Sequence, residues 1–100
     1  MRPIDLKKKV EAELKPLNQI PPKVLAMRVT QLLTERRLVN AGASGSQATK
    51  MYNSLAATSG IRNPSGTVEG LIEMGLHSVP SVGEKGMTQI IAIINAATAG

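Results

Sequence analysis

Cysteine, tryptophan and phenylalanine are missing from this 100-residue sequence, and tyrosine and histidine occur once each, as Tyr52 and His77. Without cysteine there is no disulfide framework and no thiolate metal site, which fits a reducing compartment. One histidine, with no neighbouring pattern of carboxylates or nucleophile, supplies neither a metal ligand set nor a catalytic pair, so no enzyme, metal or cofactor is expected. His77 reads as a packing or hairpin residue. A single aromatic cannot build a stacking platform, which argues against single-stranded nucleic acid as the ligand. No apolar run approaches the roughly 18 residues of a membrane span, and the opening MRPIDLKKKVEAEL is too charged for the apolar core of a signal peptide. The expected setting is cytoplasmic, with no membrane partner.

What is present is aliphatic and basic. Hydrophobic residues make up 42% of the chain, and since almost none is aromatic, the core must be built from aliphatic side chains. The length suits one domain. Net charge is +5, and its distribution is uneven: residues 1–50 hold ten Lys or Arg against four acids, whereas residues 51–100 hold Arg62 and Lys85 against Glu69, Glu73 and Glu84. A basic balance of this kind suits a polyanionic partner or simple solubility, and the excess lies in the first half.

Helical spacing dominates the pattern, and no segment alternates as a strand does. Ile4, Leu6, Val10 and Leu14 recur behind Pro3, a residue suited to the first helical position, and Pro16 should end that helix. Its Lys7-Lys8-Lys9 run is a solvated face or a secondary phosphate contact, and Asp5, Glu11 and Glu13 serve helix pairing with lysines. A second helix is predicted from Pro21-Pro22 to Asn40, carrying Val24, Leu25, Met27, Val29, Leu32, Leu33 and Val39 in one broad stripe, with Gly42 as its stop. Arg36 and Arg37 in its last turn either complement the helix dipole or face a phosphate backbone. A third helix should begin behind Ser46 as N-cap and run from Gln47 to about Ala57. Asn63-Pro64-Ser65-Gly66 reads as a turn, Thr67 as the cap of a short helix limited by Gly70 and Gly75, and PSVGEKG as a turn into a final helix with Met87, Ile90, Ile91, Ile93 and Ile94.

The two helices around the turn at Ala41–Ser46 resemble a helix-turn-helix that would offer Gln47, Lys50 and Asn53 to DNA, although Leu38 stands where a small residue is usual. From Ala48 onward a second likeness is broader. The order and spacing of KMYNSL, SGI, TVEGL and VPSVGEKGMTQI are similar to the C-terminal domain of the bacterial RNA polymerase alpha subunit, over about half of the chain. That resemblance implies a small helical domain with a helix-hairpin-helix that binds duplex DNA at the A/T-rich minor groove. By it, Lys50 and Asn53, with Ser54 beside them, occupy the positions that reach the groove. Gly83 would let the backbone approach a phosphate at the following helix N-terminus, with Lys85 adding charge. Gly86 stands where the family usually has serine, Gln89 where it has glutamate, and Glu84 would repel phosphate unless it points away. Lysine in place of the groove-binding arginine implies weaker sequence preference.

The expectation is therefore an all-α fold of about five short helices: a basic helical extension over residues 1–45 and a helix-hairpin-helix-like domain over 46–100, or one compact unit made of both. The expected function is non-enzymatic binding of double-stranded DNA, in a transcriptional or nucleoid setting, through Lys50, Asn53, Ser54, Gly83, Lys85 and Gly86, with Arg36 and Arg37 on the backbone. The competing reading is an interaction or assembly module that contacts polymerase or other proteins, in which the PSVG turn only caps a helix.

Overall fold

Prolines and capping hydroxyls set most of the helix boundaries. The computed structural model of the protein describes the backbone of residues 3–99 and the side chains of residues 5–99. The side chain of Ile4, expected on the apolar face of the first helix, lies outside the described residues. Helix α1 spans Pro3–Glu13. It buries Leu6 and packs Val10 and Leu14 at the edge of the core. Lys9 pairs with Glu13 at 2.7 Å, so one lysine of the basic run is spent on its own helix. After a 3-10 turn at Leu17–Gln19 come α2 (Pro22–Leu25), α3 (Val29–Leu32), α4 (Glu35–Asn40) and α5 (Gly45–Ile61). Then follow α6 (Val68–Met74), a 3-10 turn at Leu76–Ser78 and α7 (Glu84–Ala99). Among the described residues there is no strand, and the fold is all-α.

The single helix expected from Pro22 to Asn40 is instead three. The first break is imposed from far away: Arg28 forms an isolated antiparallel bridge with Thr67. The Val29 amide donates to the Gly66 carbonyl and the Val68 amide to the Met27 carbonyl, both at 2.9 Å. The second break is local. Leu33 leaves the helical region, and the Thr34 hydroxyl accepts from the Arg37 amide at 3.2 Å, capping α4. Breaking the segment lets Val24, Val29, Leu32, Leu33 and Leu38 enter one core from several directions, whereas Val39, counted in the stripe, is 45% exposed.

The Arg28–Thr67 bridge is reciprocal, so a local twofold axis passes between its strands. The chain on either side repeats approximately, element by element. Each bridge residue is an extended N-cap, of α3 and of α6. Val29 matches Val68 and Leu32 matches Leu71, all buried. Further on, each unit turns through a positive φ, at Gly42 (119°) and at Ser81 (64°). A buried residue follows, Ala43 or Val82, and then a long helix, α5 or α7, with Ala48 matching Met87, Met51 matching Ile90 and Leu55 matching Ile94. One interval relates all these pairs, from 28 and 67 to 55 and 94. The units differ between their helices, where α4 in the first is replaced by the 3-10 turn in the second.

A single hydrophobic core joins the units, and the first 45 residues supply Leu6, Ile20, Val24, Val29, Leu32, Leu33, Leu38 and Ala43 to it. The extension expected over residues 1–45 thus packs with the rest as one compact unit. The radius of gyration, 12.1 Å, is no larger than the roughly 13 Å usual for this length. Asn95 on α7 fastens the end of α1: its Nδ2 donates to the Glu13 carbonyl at 2.9 Å, and its Oδ1 accepts from the Lys15 amide at 3.1 Å. Beneath the turn into α6, buried Asn63 donates to the Thr67 carbonyl at 2.9 Å and accepts from the Ser65 hydroxyl at 3.0 Å. Gly70 has to be glycine here, because a Cβ would land on Asn63 Oδ1. His77 packs in the same spirit, its ring half-buried against Gly75, whose φ is 100°.

Candidate nucleic-acid interface

The turn at Pro80–Gly83 is held by Val82, which is buried, and reverses at Ser81 in the left-handed region. Gly83 closes it as the cap of α7, its carbonyl accepting from the Met87 amide at 2.9 Å. A glycine cap brings no side-chain acceptor. Among the described residues no acceptor meets the amides of Glu84, Lys85 and Gly86, so the first turn of a 16-residue helix is left with open donors and the positive end of its dipole. Gly83 does not adopt a positive φ, and a Cβ there would meet nothing within 4 Å. The special backbone conformation falls on Ser81 instead, and glycine at position 83 matters only for leaving the approach to the backbone clear.

Gly86 has the opposite environment. A Cβ there would come within 2.7 Å of Met51 Sδ and 3.0 Å of Val82 Cγ1. Glycine therefore lets the first turn of α7 lie close against α5, where the family pattern would put a serine hydroxyl toward DNA. Between the two helix starts opens a cavity of about 300 Å³. Gln47, Lys50 and Met51 line it from α5; Ser81, Gly83, Glu84, Lys85, Gly86 and Gln89 line it from the turn and α7. Lys50 and Lys85 are exposed, and the one ion pair among the described residues, Lys9–Glu13, involves neither. Two helix N-termini and two free ammonium groups thus meet one carboxylate, that of Glu84, at a single concavity. Corresponding positions of the two units line it together: Gln47 corresponds to Gly86, and Lys50 to Gln89.

The cavity unites four of the expected site residues, Lys50, Gly83, Lys85 and Gly86. Asn53 is exposed one turn further along α5, outside the cavity lining, and Ser54 is half-buried beside it, its carbonyl accepting from the Thr58 hydroxyl at 2.8 Å. Arg36 and Arg37 stand on α4, away from this lining. The Arg37 Nη1 donates to the carbonyls of Gln31 at 2.8 Å and Leu32 at 3.0 Å, so it closes the end of α3. At the first turn the N-cap of α5 is Ser44 and not Ser46: its hydroxyl accepts from the Gln47 amide at 3.2 Å. Ser81 and Met51 were not singled out by any motif. The correspondence between units was the available signal, because Ser81 stands where Gly42 does. No family model, curated protein or solved structure matches this chain, so the concavity is interpreted from its own geometry.

Proposed function

We propose that the protein binds double-stranded DNA without catalysing a reaction, using the concavity between the starts of α5 and α7. The observation that carries this reading is the convergence of Lys50, Lys85 and the open amides of α7 on one surface, from positions far apart in sequence. Such a surface suits phosphate, since backbone donors and a helix dipole favour an anion and each lysine adds a mobile charge. Corresponding stretches at the starts of α5 and α7 line the concavity together, an arrangement that suits the two strands of a duplex better than a single strand. The likeness of KMYNSL and VPSVGEKGMTQI to the polymerase alpha C-terminal domain points the same way, and implies a minor-groove role for Asn53. Glu84 opposes phosphate, and its place at the first position of α7, where it complements the dipole, keeps it there at a cost in affinity.

Fluorescence anisotropy with A/T-rich and G/C-rich duplexes over a range of salt tests the proposal. Lys50→Ala and Lys85→Ala should each weaken binding and each lower the slope of log affinity against log salt by about 1. Asn53→Ala should leave the slope intact and flatten the preference for A/T-rich duplex. Parent protein without salt-dependent binding, or three variants that bind like the parent, would reject the reading.

A further inference from the structure

On a different face, α3, α4 and the second half of α7 enclose an open groove of about 430 Å³. Leu32 and Ile93 form its floor, 3% and 9% exposed, and Ala41 on one wall faces Ala92 and Ala96 on the other. Walls this small let another helix approach closely, at the 8–10 Å axial distances of packed helices. The polar lining is confined to the α4 wall, where Arg37 and Asn40 sit beside exposed Arg36, and no carboxylate lines the groove. The α7 wall is neutral, since α7 carries no charge beyond Lys85.

We infer that this groove is a docking surface for an amphipathic helix of a protein partner that carries acidic residues along one edge. Three observations select that occupant. The apolar floor asks for aliphatic anchors at helical spacing. The one charged residue of the lining, Arg37, is positive and asks for a carboxylate on the matching edge. A second copy is disfavoured, because a twofold self-pairing places the same patch on both sides and the groove lining brings no carboxylate to meet Arg36 and Arg37. The groove shares no residue with the DNA-facing concavity, so both surfaces can be occupied together.

The probe is a synthetic amphipathic peptide of about 18 residues, long enough to hold helical structure, with leucines on one face and glutamates flanking them. A lysine-flanked version with the same leucines is the control. In two-dimensional NMR of the labelled protein, the acidic peptide should shift the amides of Leu32, Ala41, Ala92 and Ala96, and should bind about tenfold more tightly than the basic one. Ala96→Gln, which fills the groove from an exposed position, should abolish those shifts, and Arg36→Glu should weaken binding about fivefold. Both variants should keep the parent's melting temperature, and Ala96→Gln should also keep its salt-dependent DNA binding. Shifts outside the groove, no shifts, or equal affinity for the two peptides would overturn the inference. So would a dimer of the parent protein that Ala96→Gln dissociates, because the occupant would then be a second copy.

Discussion

The two repeated units close their helices in opposite ways. At the start of α3 the side chain of Gln31 reaches back and its Oε1 accepts from the Arg28 amide at 3.2 Å. At the start of α6 the Thr67 hydroxyl reaches forward and accepts from the Gly70 amide, also at 3.2 Å. The same contrast returns at the turns. Ser44 satisfies the first turn of α5 with its own hydroxyl, while Gly83 leaves that of α7 unfilled. One backbone plan therefore supports two uses: the first unit fills an amide at the start of its long helix with its own cap, and the second leaves the corresponding donors open at the surface. A glycine cap forgoes only a few tenths of a kcal/mol relative to serine, a small cost that is intelligible if an external anion supplies the acceptor.

Substitutions that exchange chemistry between the units test this contrast. The largest effect is expected at Gly70, the counterpart of Gln31. Replacing a helical glycine by alanine ordinarily stabilises by about 1 kcal/mol, but Gly70→Ala should destabilise by about 2 kcal/mol, because the new methyl strikes Asn63 Oδ1 and breaks a buried network. Urea denaturation decides the sign. Next comes Gly86→Val, which should cost roughly 1–2 kcal/mol by forcing α7 from Met51 and Val82; Gly83→Val, three residues earlier and facing open space, should cost less in the same assay. A melting curve for Gly83→Val as low as that for Gly86→Val would mean the close approach has been misassigned.

Gln89→Lys makes the second unit match Lys50 of the first, and should raise the salt slope of DNA binding by about 1 while leaving stability unchanged. The smallest effect, and the sharpest, belongs to Gly83→Ser. It installs the cap that α5 already has, so stability should rise by a few tenths of a kcal/mol while DNA affinity falls, the hydroxyl now competing for the amides. A gain in stability with undiminished affinity would show that those amides do not meet phosphate.

How much of this was legible in the sequence depended on range. The final helix and its buried Met87, Ile90 and Ile94 follow from local spacing, as does the Thr67 cap, because each involves residues within one or two turns. The break at Arg28 was not legible. Its cause is Gly66–Val68, distant in sequence, and the four-residue α3 is too short to show a period. Thr34 caps α4 inside the expected long helix, a break that the continuous apolar stripe does not mark. At the site, Lys50 and Lys85 were identified by charge and resemblance, whereas the close packing at Gly86 against Met51 and Val82, absent at Gly83, was not legible. Both are glycines in one short turn, and only the position of α5 tells them apart.

The reciprocal bridge has a consequence for hydrogen exchange. Amides in the first turn of a helix usually exchange freely, since no carbonyl of their own helix reaches them. The amides of Val29 and Val68 are exceptions, each bonded to the other unit and each on a fully buried residue. Opening either unit alone severs both bonds, so these two amides should exchange at a common rate set by separation of the halves. They form a matched pair of reporters for whether the molecule ever comes apart between its two repeated units.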